Sequence, residues 1–280
     1  MSFDFAKMKK DQEAAAVNPT LMLLLIGPPG GGKSYAAGTF GVETLFLHGG
    51  TERHGDDSIK LACLKKGKGS VTTQSWAGKN ADESYKNLVA VLTDPSLPEH
   101  FGAVVIDGLK DLTFDLISDT SMFTKYCLTD KGVHDKWREG AAIAHLMQPI
   151  MKALFALRAA KVHTATTMVL DVQDLGSTGE VLLGKPLIPT YGVASALIPQ
   201  FDDRVVVSYA APTIGGEPKP DHYFQFKMDM RRSTTSANTG VTKVMLIKPK
   251  LSGVSYQSLP PLMKADLEFL AKFKADNMLK

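Results

Sequence analysis

Apolar residues fall into short runs that alternate with helically spaced stripes along most of the chain. Leu21–Ile26 is an unbroken apolar run, as a strand buried on both faces requires. Runs at Thr44–His48, Ser70–Gln74, Ala103–Asp107, Thr164–Leu170 and Arg204–Tyr209 predict further strands. Between them the pattern predicts helices over Lys33–Phe40, Ala81–Leu92 and Trp137–Ala160. In the last of these, Ile143, Leu146, Met147, Ile150, Leu154 and Leu157 recur at three- and four-residue spacing, and Pro149 predicts a kink. Strands alternating with helices predict an α/β fold with a mostly parallel sheet flanked by helices. The last third changes character. Tyr223–Met228 and Lys243–Ile247 predict a β-hairpin around the polar loop 231–240, and Leu262–Phe273 predicts an amphipathic helix. The chain thus divides into an arm (1–20, with a short helix over Phe5–Ala16), a core (21–250) and a C-terminal helical segment (251–280). Thr113–Asp135 and Asp171–Pro199 show no clear period and read as long irregular loops, which in a compact domain are usually functional.

Composition narrows the possibilities modestly. With 280 residues and 44% of them hydrophobic, the chain can bury a full core. A net charge of +3 is too weak to indicate nucleic-acid binding, so any such contact must be a local patch. Cys63 and Cys127 fit neither a metal spacing nor a disulfide framework and read as small apolar residues in a reducing compartment. The longest apolar run is about six residues, too short for a membrane span, and the N-terminus carries no signal-peptide core. His48, His145 and His163 show no ligand spacing and read as core or surface residues. Lys60, Lys65, Lys66 and Lys68 read as a solvated turn, with a DNA-backbone patch as the alternative.

The chemistry concentrates just after the first strand. Gly27, Pro28, Pro29, Gly30, Gly31, Gly32, Lys33 and Ser34 match the phosphate-loop pattern at every fixed position, and Tyr35-Ala36-Ala37 can start the helix that should follow. Glycines let such a loop wrap a polyphosphate with its N–H groups turned inward. Lys33 would reach the β- and γ-phosphates, and Ser34 would hold Mg²⁺. Ala103-Val104-Val105-Ile106-Asp107 has the form of the partner strand, whose aspartate serves the same metal ion. ATP (or GTP) with Mg²⁺ is therefore the expected ligand, held by Gly27–Tyr35 and Asp107. Gly108 stands where many motor ATPases carry a water-activating glutamate, so any such group must come from elsewhere.

In this order, Gly27–Ser34, Thr44–Glu52, Ala103–Asp107 with Gly108-Leu109-Lys110-Asp111, Trp137–Ala160 leading into Thr164–Leu170, and Leu197–Asp202 resemble the RecA-like recombinase core. The likeness is closer still to small phage ATP-binding proteins of single-strand annealing and recombination, and it covers about residues 20–250. It implies a RecA-like ATPase with ATP at the carboxyl ends of the strands, assembled with itself as a ring or filament. It also implies single-stranded DNA as a partner, with a single-strand-binding protein as a further one, in the cytoplasm of a host cell. By the same resemblance Glu52 would activate water. Asp171 or Gln173 would sense the γ-phosphate, with Gln173 preferred because a neutral amide adds no repulsion.

Arg231 and Arg232, or Lys248 and Lys250, would reach a neighbour's nucleotide. Phe3-Asp4-Phe5-Ala6 contains the Phe-x-x-Ala docking pattern of such recombinases. The DNA loops would be 113–135, with Lys125, Tyr126, Lys131, His134 and Lys136, and 171–199, with Lys185 and Tyr191. Two other classes fit the phosphate loop: a slow nucleotide-gated interaction protein without a DNA role, and a small-molecule kinase. The kinase is disfavoured because no arginine-rich lid segment lies between the middle strands.

Overall fold

The run at Leu21–Ile26 becomes β1 (Met22–Gly27), and all of β1 is buried because helices cover both faces of its sheet. The computed structural model describes residues 19–49, 53–169, 173–175, 180–182, 197–209, 222–226, 250–260 and 262–278. After β1 come α1 (Lys33–Ala37), β2 (Thr44–His48), α2 (Arg53–Lys66), β3 (Val71–Ser75), α3 (Ala81–Leu92), α4 (Leu97–His100) and β4 (Ala103–Asp107). Helices α5 (Leu109–Ser118), α6 (Thr120–Cys127) and α7 (Lys136–Ala159) lead to β5 (His163–Val169). A small antiparallel pair, β6 (Gln173–Leu175) and β7 (Glu180–Leu182), precedes β8 (Asp203–Tyr209), β9 (His222–Gln225), β10 (Leu262–Lys264) and α8 (Leu267–Met278).

The main sheet has the order β10-β9-β8-β1-β5-β4-β2-β3. From β8 to β3 all neighbours pair in parallel, whereas β9 and β10 add antiparallel strands at one edge. Alternation along the strands splits the core into two apolar layers. Leu24, Ile26, Val104 and Ile106 face α3, α5 and α7. Leu23, Leu25, Phe46 and Val205 face α1, α2 and α8. The expected α/β architecture with a mostly parallel sheet is therefore what the chain forms.

Several elements depart from the sequence expectations. The lysine-rich segment is not a turn but the 14-residue helix α2. Ile59, Ala62 and Cys63 are its buried stripe, while Leu61 and Leu64 face outward and blur the period. Lys66 is not simply solvated. It bonds Asp266 (2.6 Å) and Glu268 (2.8 Å), Lys68 bonds Glu268 (3.1 Å), and α2 is thereby tied to the start of α8. Burial alone would lower the Lys66 pKa, but its hydrogen bonds to Asp266 and Glu268 prevail and raise it.

The stretch 113–135 holds helix rather than loop. Leu109, Leu112 and Leu116 bury one face of α5, and Asp119 then breaks the chain and caps α6 by accepting the Met122 N–H (3.1 Å). That break keeps either period short. The helix expected from Leu262 begins five residues later. Leu262–Lys264 instead pairs with β9, Met263 inward and Leu262 outward, because the β9 edge offers its backbone groups. The hairpin partner expected at Lys243–Ile247 and the arm before Pro19 lie outside the described residues.

By length and mean hydropathy (1.3), Trp137–Ala159 could cross a membrane. Its apolar stripe at Ile143, Met147, Ile150, Leu154 and Leu157 is instead buried in the core. Pro149 lies within this continuous helix. Both cysteines are free and buried, as expected; burial raises the pKa of each, with Glu43 adding to Cys63 and Glu139 to Cys127.

His163, half-buried at the start of β5, carries a pH signature. Its Nδ1 accepts the Leu21 N–H (3.0 Å), and its ring stacks on Phe40 at 5.4 Å. Burial lowers its pKa. The unfolded chain therefore binds this proton more readily than the folded one, and stability rises with pH where they differ. Thermal unfolding is expected to show a destabilisation that sets in below about pH 6.5, the ordinary histidine value, and that is absent in His163→Gln.

Candidate functional site

The chain leaves β1 through α1 toward β2 on one side of the sheet and leaves β5 toward β8 on the other. This reversal opens a crevice at the carboxyl ends of β1 and β5, where open α/β sheets bind ligands. The Gly27–Ser34 loop lies at this point. Gly32 has φ +89°, a conformation that disfavours any side chain, and the His222 ring of β9 occupies the space a Cβ would need. Ala36 N–H then bonds the Gly32 carbonyl at 2.8 Å and starts α1.

Lys33 is only 9% exposed. Its ammonium donates to the carbonyls of Gly27 (3.1 Å) and Pro28 (2.9 Å), which hold it inside the loop. Ser34 Oγ donates to Asp107 Oδ2 at 2.8 Å across 73 residues of chain. Thr167 Oγ1, from β5, donates to the other oxygen of the same carboxylate and accepts the Gly108 N–H at 3.2 Å. Asp107, 2% exposed, is thus a buried carboxylate held by two hydroxyls. The donor set suits Mg²⁺, which takes hard oxygen ligands, needs only one or two carboxylates and keeps waters and phosphates for the rest. Among the described residues no cluster of three or more acidic, histidine or cysteine side chains forms a metal site.

The chain matches no family model and no curated protein.

Of the residues expected at the site, Lys33, Ser34 and Asp107 are brought together. Tyr35 stands behind the loop, with its ring 5.1 Å from that of His222 and Lys65 Nζ 5.7 Å from its centroid. Glu52, Asp171, Arg231, Arg232, Lys248, Lys185, Tyr191 and the Phe3–Ala6 segment lie outside the described residues. Gln173 begins β6 opposite Leu182, and Lys250 bridges Arg204 beside β8. Sequence reading passed over Thr167, although a polar residue in a buried strand was a usable signal. It read His48 as a core or surface residue and passed over Gly55 and Asp56; the three gather beside Asp107 only because β2 and β4 are neighbours.

The 113–135 region ends in a tight hairpin closed by the Leu128–His134 bridge, and His134 bonds Glu139 at 2.7 Å. Lys125 lies 4.7 Å from the Tyr126 ring, Lys131 is exposed, and Lys136 begins α7. Val133 is 62% and Trp137 89% exposed. A 24-residue helix is about 36 Å long and a seven-residue strand about 23 Å. Because α7 ends just before β5 begins, its first turns lie toward the carboxyl ends of the strands, the end that carries the Gly27–Ser34 loop.

Proposed function

We propose that this chain is a RecA-like P-loop ATPase that binds MgATP and single-stranded DNA as an oligomer, in phage recombination or strand annealing. The observation that carries the nucleotide reading is the Ser34–Asp107 hydrogen bond beside the buried Lys33 at the sheet's reversal point. The Gly27–Ser34 loop, with the Ser34 hydroxyl at its end, meets the carboxylate of Asp107 from 73 residues further along the chain, an arrangement that would suit phosphoryl chemistry. Bound Mg²⁺ would supply charge neutralisation at the β- and γ-phosphates, with Ser34 and Asp107 as its protein oxygens.

The DNA reading is supported by the hairpin before α7. Trp137 offers an exposed ring for stacking beside exposed Val133, with Lys131 close in sequence for phosphates. ATP hydrolysis is expected to rise several-fold with single-stranded DNA and to vanish with or without it in Asp107→Asn. Trp137→Ala is expected to weaken single-stranded DNA about tenfold in fluorescence anisotropy, the value of one stacked base. A rate indifferent to DNA, with no DNA binding by the wild type, would favour the nucleotide-gated switch instead.

A further inference from the structure

On the strand next to Asp107, the register partner is His48. Partners in a parallel ladder project to the same face, here the face covered by α1 and α2. Phe46, two residues earlier on β2, packs there with Ala36, Ala37 and Ile59, and its ring stacks on His48 at 6.1 Å. The first turn of α2 comes to the same point. A Cβ on Gly55 would lie 2.6 Å from Asp107 Oδ2, so glycine is what permits the approach. The next residue, Asp56, turns Oδ1 toward His48 Nε2 at 3.5 Å.

The protonation pattern of the ring follows from its other nitrogen. His48 Nδ1 is 2.9 Å from the Gly49 carbonyl oxygen, which can only accept, so Nδ1 carries a proton. In its uncharged form the ring would then turn the Nε2 lone pair toward Asp56. A separation of 3.5 Å is too long for a good direct hydrogen bond. Two acceptors therefore converge on one spot, which suits a ligand with two hydrogens to donate. Asp56 Oδ1 is buried and accepts no hydrogen bond among the described residues, a costly state unless such a donor is supplied.

We infer that the His48–Asp56 pair positions the attacking water in nucleotide hydrolysis; this rests on the MgATP reading above. In the step, the water oxygen bonds to the γ-phosphorus and the bond from that phosphorus to the β,γ-bridging oxygen breaks. ADP leaves with the electron pair, and both water hydrogens end on the released phosphate as H₂PO₄⁻. Before attack the water donates to Nε2 and Oδ1, which aims its lone pair at phosphorus. Lys33 faces the charge that develops on the phosphates. The pair thus stands in for the carboxylate that Gly108 does not supply.

The test compares kcat with MgATP affinity in the full-length protein. His48→Asn keeps a donor for the Gly49 carbonyl but has no acceptor at the Nε2 position. It and Asp56→Asn are each expected to lower kcat about 100-fold, the scale of a misplaced reactant, with the MgATP dissociation constant changed less than about threefold. His48→Gln, whose amide oxygen reaches the Nε2 position, is expected to recover at least a tenth of the wild-type rate. Wild-type kcat in both single variants overturns the inference. So does a parallel loss of binding and rate, or a loss confined to Glu52→Gln. Wild-type protein that binds MgATP without turnover overturns the inference and leaves nucleotide binding standing. Wild-type protein that binds no nucleotide overturns both.

Discussion

Lys33→Ala is expected to weaken MgATP binding about 100- to 1000-fold and to reduce ATP hydrolysis to background, while the protein stays folded. The magnitude follows from the number of contacts at stake. Charged hydrogen bonds contribute about 1.5–3 kcal/mol each, and each 1.4 kcal/mol is about tenfold in affinity. The Lys33 ammonium is nearly buried and already aimed into the loop by the Gly27 and Pro28 carbonyls, so little ordering cost offsets its contacts with phosphate. Lys33→Arg is expected to fail as well, because a planar guanidinium does not fit the space a compact ammonium fills between those carbonyls. Titration with a fluorescent ATP analogue in Mg²⁺ checks both variants. Wild-type affinity in Lys33→Ala would refute the placement of the phosphates at Lys33, and absence of MgATP binding in the wild type would refute the nucleotide reading itself.

The largest effect on stability is expected at the opposite end of the sheet. Asp203 at the start of β8 is fully buried, and Lys274 of α8 is 3% exposed. Lys274 Nζ lies 2.6 Å from Asp203 Oδ2 and donates to Ser252 Oγ at 3.2 Å, while Ser252 donates its own N–H and hydroxyl to Asp203 Oδ1. Every oxygen of the carboxylate is thus satisfied, and α8 is held to the sheet through one charge pair.

Lys274→Met leaves a buried carboxylate without its counter-charge and is expected to cost about 3–5 kcal/mol in chemical denaturation. Replacing both partners, as Asp203→Leu with Lys274→Met, is expected to restore much of that loss, since no charge then stays buried. MgATP affinity of the folded Lys274→Met protein should match wild type, because the pair sits at the amino end of β8, away from the phosphate loop. A cost below about 1 kcal/mol would show that water or a rearranged Ser252 compensates the carboxylate.

Fold class was readable because burial on both faces demands continuous apolar runs. Leu21–Ile26 and Ala103–Asp107 could therefore be placed nearly to the residue. Helices with clean stripes, Ala81–Leu92 and Trp137–Ala160, were equally legible. α2 was not, since its outward Leu61 and Leu64 and its lysines obscure a stripe of only three small or medium residues. β10 was not, because three residues become a strand only when β9 presents an edge to pair with.

The candidate site divides along the same line. Local sequence suffices for Gly27–Ser34, since the loop is made by consecutive residues whose backbone conformations follow from glycine and from the strand before it. It also suffices to single out Asp107, as the polar end of an apolar strand. Which groups meet that aspartate is a matter of strand order. β5 lies between β1 and β4, so Thr167 reaches the carboxylate, and β2 lies beyond β4, so His48 stands beside it with Asp56 of α2. No spacing along the chain records those neighbours, because sheet order is settled by long-range burial of apolar faces and by backbone pairing. The chain alone thus determines the Gly27–Ser34 loop and the carboxylate that ends β4, while the groups around that carboxylate exist as a site only once the sheet has formed.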